Sequence, residues 1–176
     1  MDSVLPTFYL SFLLALLAGA CVVVFRQILK SRKTENTLSR LENKLKTDKG
    51  TAQEYYELGS IYLDKKMFAQ AVNLYQKGLK QGQGEEADNL ALIYNGLGYA
   101  YFAQEQYDLA IRNYKEALKL EPEYITAINN LGHAYERKKL TAQALQAYED
   151  TLKYDPNNVT AKRRAESLRK RLVTSA

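Results

Sequence analysis

The residue types that most often carry chemistry are sparse in this chain. It has one histidine, His133, and one cysteine, Cys21, in 176 residues, so neither an internal disulfide nor a Cys/His metal cluster can be built. Gly82 and Gly84 lack a preceding strand pattern and a following Gly-Lys-Ser/Thr, so they read as a linker rather than a phosphate loop. The carboxylates are scattered at solvent-helix spacing and converge on no cleft, and no nucleophile is paired with a base. No catalysis, cofactor, metal or small-molecule substrate is expected. Tyrosine is concentrated instead, at 14 residues with no tryptophan. Tyrosine has the chemistry of protein contact: a large, flat, amphipathic surface.

The formal charge of +5 suggests a nucleic-acid binder only until it is divided along the chain. Residues 26–50 carry eight basic and three acidic side chains, residues 51–156 eleven against fifteen, and residues 157–176 six against one. An acidic centre between two basic flanks argues against a phosphate-tracking surface, and nucleic acid is not an expected partner.

From Ser3 to Phe25 no residue carries a formal charge, and as a helix this run reaches about 35 Å, enough to cross a bilayer core. Arg26, Lys30, Arg32 and Lys33 follow at once, which by the positive-inside rule puts the remainder of the chain on the cytoplasmic or stromal side. A cleaved signal peptide would have a basic start and a shorter apolar core. Ala18-Gly19-Ala20-Cys21 resembles a lipoprotein cleavage box without its leucine, and Cys21 is read as a small apolar residue in lipid. Residues 1–25 are therefore expected to be a transmembrane anchor. Residues 26–50 are expected to be a basic helical connector with a narrow stripe of Leu38, Leu41 and Leu45, stopping at Asp48-Lys49-Gly50.

Self-similarity organises the rest. Leu58-Gly59 with Tyr62, Leu97-Gly98 with Tyr101, and Leu131-Gly132 with Tyr135 repeat one motif, and each glycine is followed by an alanine at +12 and a tyrosine at +16: Ala71 and Tyr75, Ala110 and Tyr114, Ala144 and Tyr148. The second and third glycines are 34 residues apart and the first two 39. The segment from Gln81 to Glu86 supplies the extra residues as a loop. Pro122 and Pro156 close two copies, and Gln83 stands where the first has no proline. The pattern resembles the tetratricopeptide repeat (TPR), a pair of antiparallel helices that stacks on its neighbours. The expected fold is all-α: an N-terminal transmembrane helix, then an α-solenoid of three repeats over 51–156 (51–84, 88–122 and 123–156), then a basic capping helix and tail over 157–176.

In TPR proteins the first helix of each repeat lines a groove. Transferred by register, that resemblance implies Gln53, Tyr56, Ser60, Leu63 and Asp64, then Leu92, Asn95, Tyr99, Phe102 and Ala103, then Thr126, Asn129, His133, Glu136 and Arg137. Tyr56, Asn95, Tyr99, Phe102, Asn129 and His133 are the candidate protein-binding set. TPR domains that clamp acidic carboxyl-terminal peptides place cations at positions that are Tyr56, Ser60, Gly96, Thr126 and Asn130 here, so that clamp is not expected. In the tail, Arg163, Arg164, Arg169, Lys170 and Arg171 either form the solvated face of the cap or touch an anionic membrane or an acidic partner.

The anchor, the basic connector from Arg32 to Arg40, the three repeats (with Leu97 to Leu120 the most characteristic stretch) and the basic tail together resemble the membrane-anchored TPR proteins of cyanobacteria and plastids that assist photosystem I assembly. The resemblance implies a non-catalytic scaffold on the thylakoid membrane whose partners are photosystem I subunits or assembly intermediates. A general bacterial inner-membrane scaffold in envelope biogenesis or secretion would use the same parts.

Overall fold

The computed structural model describes residues 4–82, 84 and 86–174. Ser3, where the apolar run begins, and Gln83, at the position of the missing proline, lie outside them. The chain divides into two compact units, Met1–Lys46 and Thr47–Ala176.

In the first unit, helix α1 (Val4–Thr47) continues without a break through the expected anchor and into the expected connector. No glycine or proline lies between Arg26 and Thr47 to interrupt it. From Tyr9 to Leu29 its large apolar side chains face outward, with Phe12 66%, Val23 67% and Leu29 51% exposed. A soluble helix would bury such a surface; α1 is long and apolar enough to cross a membrane.

The second unit is a row of helical hairpins: α2 (Ala52–Asp64) with α3 (Phe68–Gln81), α4 (Ala87–Ala103) with α5 (Tyr107–Leu120), and α6 (Ile125–Arg137) with α7 (Thr141–Tyr154), closed by α8 (Val159–Thr174). Thr51 starts the row with a capping box: its hydroxyl accepts from Glu54 N–H at 3.2 Å, and the Glu54 carboxylate accepts from Thr51 N–H at 3.1 Å. At the far end Asn158 caps α8, its Oδ1 accepting from Ala161 N–H at 3.0 Å. That cap moves the helix start to Val159, two residues beyond the expected Asn157.

The repeated glycines explain the repeated tyrosines. A β-carbon placed on Gly59 would lie 2.7 Å from the Tyr75 ring, on Gly98 2.6 Å from the Tyr114 ring, and on Gly132 3.0 Å from the Tyr148 ring. The second helix of each hairpin thus lays its tyrosine flat against the bare backbone of the first. Tyr75, Tyr114 and Tyr148 are at most 1% exposed, and Ala71, Ala110 and Ala144, one turn earlier, are fully buried. Each ring removes roughly 150–250 Å² from water, and burial pushes all three phenols well above the ordinary tyrosine range. Tyr75 is gripped twice, because a β-carbon on Gly96 of the next repeat would also lie 2.7 Å from its ring.

The turn inside each hairpin is the same. Lys66, Glu105 and Lys139 adopt φ of 60°, 59° and 59°. The following residue bonds back across the turn, Met67 N–H to Tyr62 O at 2.8 Å, Gln106 to Tyr101 at 2.9 Å and Leu140 to Tyr135 at 2.9 Å. This is a Schellman motif with a side-chain-bearing residue where glycine is usual.

Candidate functional site

The first helices α2, α4 and α6 lie side by side, so the fifteen residues assigned to the groove by register all fall on adjacent helices. The candidate set divides by how far each side chain is committed to the fold. Tyr99 is the freest, at 47% exposed. Tyr56 is half-buried against the first core cluster, with its ring 6.0 Å from that of Tyr75. Phe102 packs edge-on to Tyr107 at 5.5 Å, and His133 edge-on to Tyr148 at 5.7 Å.

The two asparagines differ. Asn95 is a bridge: its Nδ2 donates to Tyr124 Oη at 3.2 Å and its Oδ1 accepts from Asn130 Nδ2 at 3.0 Å. This chain ties α4 to α6 and fixes the orientation of both amides. Asn129 Oδ1, in contrast, is buried with no hydrogen-bond partner, a state that costs on the order of 1–3 kcal/mol. Sequence reasoning passed over Tyr124 and over this role of Asn130. The relation Asn95 to Asn130 spans 35 residues, one off the repeat period, so no register argument links them.

At the end of the row a cleft of about 430 Å³ is lined by Phe102, His133, Glu136, Arg137, Arg164 and Arg171. Glu136 is central to its chemistry. The carboxylate accepts from Tyr148 Oη at 3.0 Å and lies 3.4 Å from Arg164 Nη1. Burial, then the Arg164 guanidinium, hold the His133 imidazole below its ordinary pKa, with Glu136 pulling the other way, so the ring is neutral near pH 7.

The tail cations are not equivalent. Arg169 turns back onto α7 and grips Glu149 Oε1 through Nε at 3.1 Å and Nη2 at 2.6 Å. Arg164 and the exposed Arg171 line the cleft, whereas Arg163 and Lys170 are exposed away from its lining. Arg164 and Arg169, both among the cations considered for lipid or partner contact, are thus engaged by Glu136 and Glu149 of the repeats.

Comparison with known proteins identifies the repeats. The family described as "Tetratricopeptide repeat" matches residues 52–81 and 125–158, and that described as "TPR repeat" matches 98–139. "Uncharacterized protein ycf37" of Cyanophora paradoxa is 39% identical over 127 residues, covering 72% of this chain and 73% of that protein. "Tetratricopeptide repeat domain-containing protein PYG7, chloroplastic" of Arabidopsis thaliana is 37% identical, over 69% of this chain and 40% of its own, longer length. Among solved structures, that of MamA superposes with a TM-score of 0.71 over 80% of this chain and 81% of its own at 23% identity, a likeness of fold. With identity at the first of these levels running through most of both proteins, the chain belongs to the ycf37 family of tetratricopeptide-repeat proteins.

Proposed function

We propose that this protein is a single-span, membrane-anchored scaffold whose α2–α4–α6 face holds a protein partner and so assists the assembly or stability of photosystem I. Residues 1–25 are the anchor and 26–50 the basic connector in this reading. Arg26, Lys30, Arg32 and Lys33, all exposed, keep the repeats on the cytoplasmic or stromal side of the thylakoid membrane. The observation that carries the proposal is the exposed Tyr99 ring on α4, the middle of the three first helices, a large aromatic surface that the fold leaves to a protein partner. The chloroplastic relative supports the compartment.

The test is capture from a photosynthetic host. Tagged full-length protein should co-purify photosystem I subunits, and Tyr99→Ala should cost on the order of 1–3 kcal/mol of that binding with unchanged helicity. In cells, Tyr99→Ala/Asn129→Ala should lower photosystem I while the anchored protein keeps its abundance. Undiminished capture and normal photosystem I in that variant would remove the face from the mechanism. Protease added to sealed vesicles of known sidedness reads the orientation independently.

A further inference from the structure

We propose that Arg26, Lys30 and Lys33 form a binding stripe for the headgroups of anionic lipids in the leaflet where α1 leaves the bilayer. The inference rests on the anchor reading above and gives the exit of the anchor a lipid chemistry. From Ser3 to Thr34 the chain carries four cations, Arg26, Lys30, Arg32 and Lys33, and no acidic residue until Glu35. All four cations are exposed, and among the described residues none of their side chains is in an ion pair or a hydrogen bond.

Register makes these cations a stripe rather than a ring. Helix α1 is unbroken here, and at about 100° per residue Lys30 and Lys33 stand within about 40° of Arg26, whereas Arg32 is about 120° away. Their heights fit as well. Val4 to Phe25 covers about 33 Å at about 1.5 Å per residue, close to the thickness of a hydrocarbon core, about 30 Å. Arg26 therefore stands at the edge of the core, and Lys30 and Lys33 stand about 6 and 10 Å above it. Side chains on a helix lean toward its N-terminus, here back toward the bilayer. The long lysine stems add reach in the same direction, so the three charges converge on the headgroup layer. Between Arg26 and Lys30 lie Ile28 and Leu29, 46% and 51% exposed, so the apolar surface continues a turn beyond the first cation. A polar, acidic protein segment on the stripe would leave those two side chains in water. Acyl chains cover them while the headgroups meet the cations.

The experiment uses the full-length protein reconstituted in phosphatidylcholine liposomes. Spin-labelled phosphatidylglycerol and spin-labelled phosphatidylcholine, each present in both leaflets, report the lipid immobilised at the protein surface, whichever way the chain inserts. Phosphatidylglycerol should associate about fivefold or more tighter than phosphatidylcholine, the factor that a single Lys or Arg supplies near an anionic surface, and added salt should weaken the preference. Arg26→Gln/Lys30→Gln/Lys33→Gln should reduce it to below about twofold. Lys162→Gln/Arg163→Gln/Lys170→Gln, which removes as many charges from the tail, should leave it unchanged, and Lys30→Gln should cost more than Arg32→Gln. Equal association of the two lipids, an equal loss in the tail variant, or an equal cost at Lys30 and Arg32 overturns the stripe. If the α1 variant keeps the lipid preference and instead loses protein co-purified from a photosynthetic host, the stripe is a protein contact and the proposal is wrong. Alkaline carbonate separates the two readings. Protein that it releases from the liposomes sinks the anchor, and protein that is retained without a preference for phosphatidylglycerol sinks the stripe alone.

Discussion

Gly98→Ala adds one methyl group at the tightest of the three hairpin contacts. The new β-carbon would lie 2.6, 2.7 and 3.1 Å from Cε1, Cδ1 and Cζ of Tyr114, against an optimum near 3.5–4.0 Å between carbons. Relief requires the ring to withdraw by roughly 1 Å. Tyr114 is 1% exposed and enclosed by Ala110, Leu131, Ala134 and Tyr135, so withdrawal strains the core shared with the next repeat. Overpacking of this kind costs about 1–3 kcal/mol. Against it stands the better helix propensity of alanine, about 0.8–1.0 kcal/mol. The expected net is a loss of about 1 kcal/mol, a fall in Tm of roughly 2–6 °C for a unit of this size. Urea unfolding followed by circular dichroism measures it. Gly132→Ala is the internal control, because its nearest ring atom is at 3.0 Å, and the two terms there should nearly cancel. A double-mutant cycle with Tyr114→Leu completes the test: removing the ring should recover about 1 kcal/mol in the alanine background. A Gly98→Ala protein as stable as its parent, or strict additivity in the cycle, would refute the argument from ring contact.

Three further expectations follow from local geometry. Lys139→Gly removes a left-handed side-chain-bearing residue, which costs about 1–2 kcal/mol, and introduces a flexible one, costing about 0.5–1; urea unfolding should show a gain of about 0.5 kcal/mol, and a loss would mean that the turn is unstrained. Thr51→Ala removes the hydroxyl that accepts from Glu54 N–H and leaves the backbone bond to the Glu54 carboxylate; it should cost on the order of 1 kcal/mol, with amide exchange accelerated at the start of α2, and unchanged exchange there would refute a working cap. His133 is held neutral in the fold, so the unfolded chain takes the proton first, and stability should fall as the pH drops below the unfolded value of about 6.5. His133→Asn should remove that component, seen as the difference between the two pH profiles of urea unfolding, and coincident profiles would contradict the burial of the imidazole.

The hairpins were legible in the sequence because their central contact is local. Gly98 and Tyr114 belong to one pair of helices, and their spacing is as regular as the backbone geometry that brings them together. Helix α1 was legible in composition and in its stop, since it ends at Thr47 just before Asp48-Lys49-Gly50, but not in its continuity: the charges after Phe25 mark a change of solvent, and a change of solvent does not end a helix that has no breaker. The turns were hidden because Lys66, Glu105 and Lys139 carry no mark of a positive φ, which the surrounding Schellman bonds impose. The candidate face was legible as a set of positions and not as a set of roles. That Asn95 is tied to Tyr124 and Asn130, and that Arg169 is bound to Glu149 while Arg164 is paired with Glu136, depends on residues from separate helices whose distances no period encodes.

The double grip on Tyr75 bears on how freely such a protein can be rearranged in evolution or by design. Repeats that share a period invite shuffling, as if each were a brick of one pattern. Yet the ring of the first repeat needs bare backbone at Gly96 in the second, and at the corresponding position the third repeat carries Asn130, whose own amide is needed by Asn95. A chain with its second repeat replaced by a copy of the third would meet the Tyr75 ring with a side chain where there is now none. Repeat order in this protein is thus a coded property, and the junction with the five-residue insertion is the one at which a recombinant is most constrained.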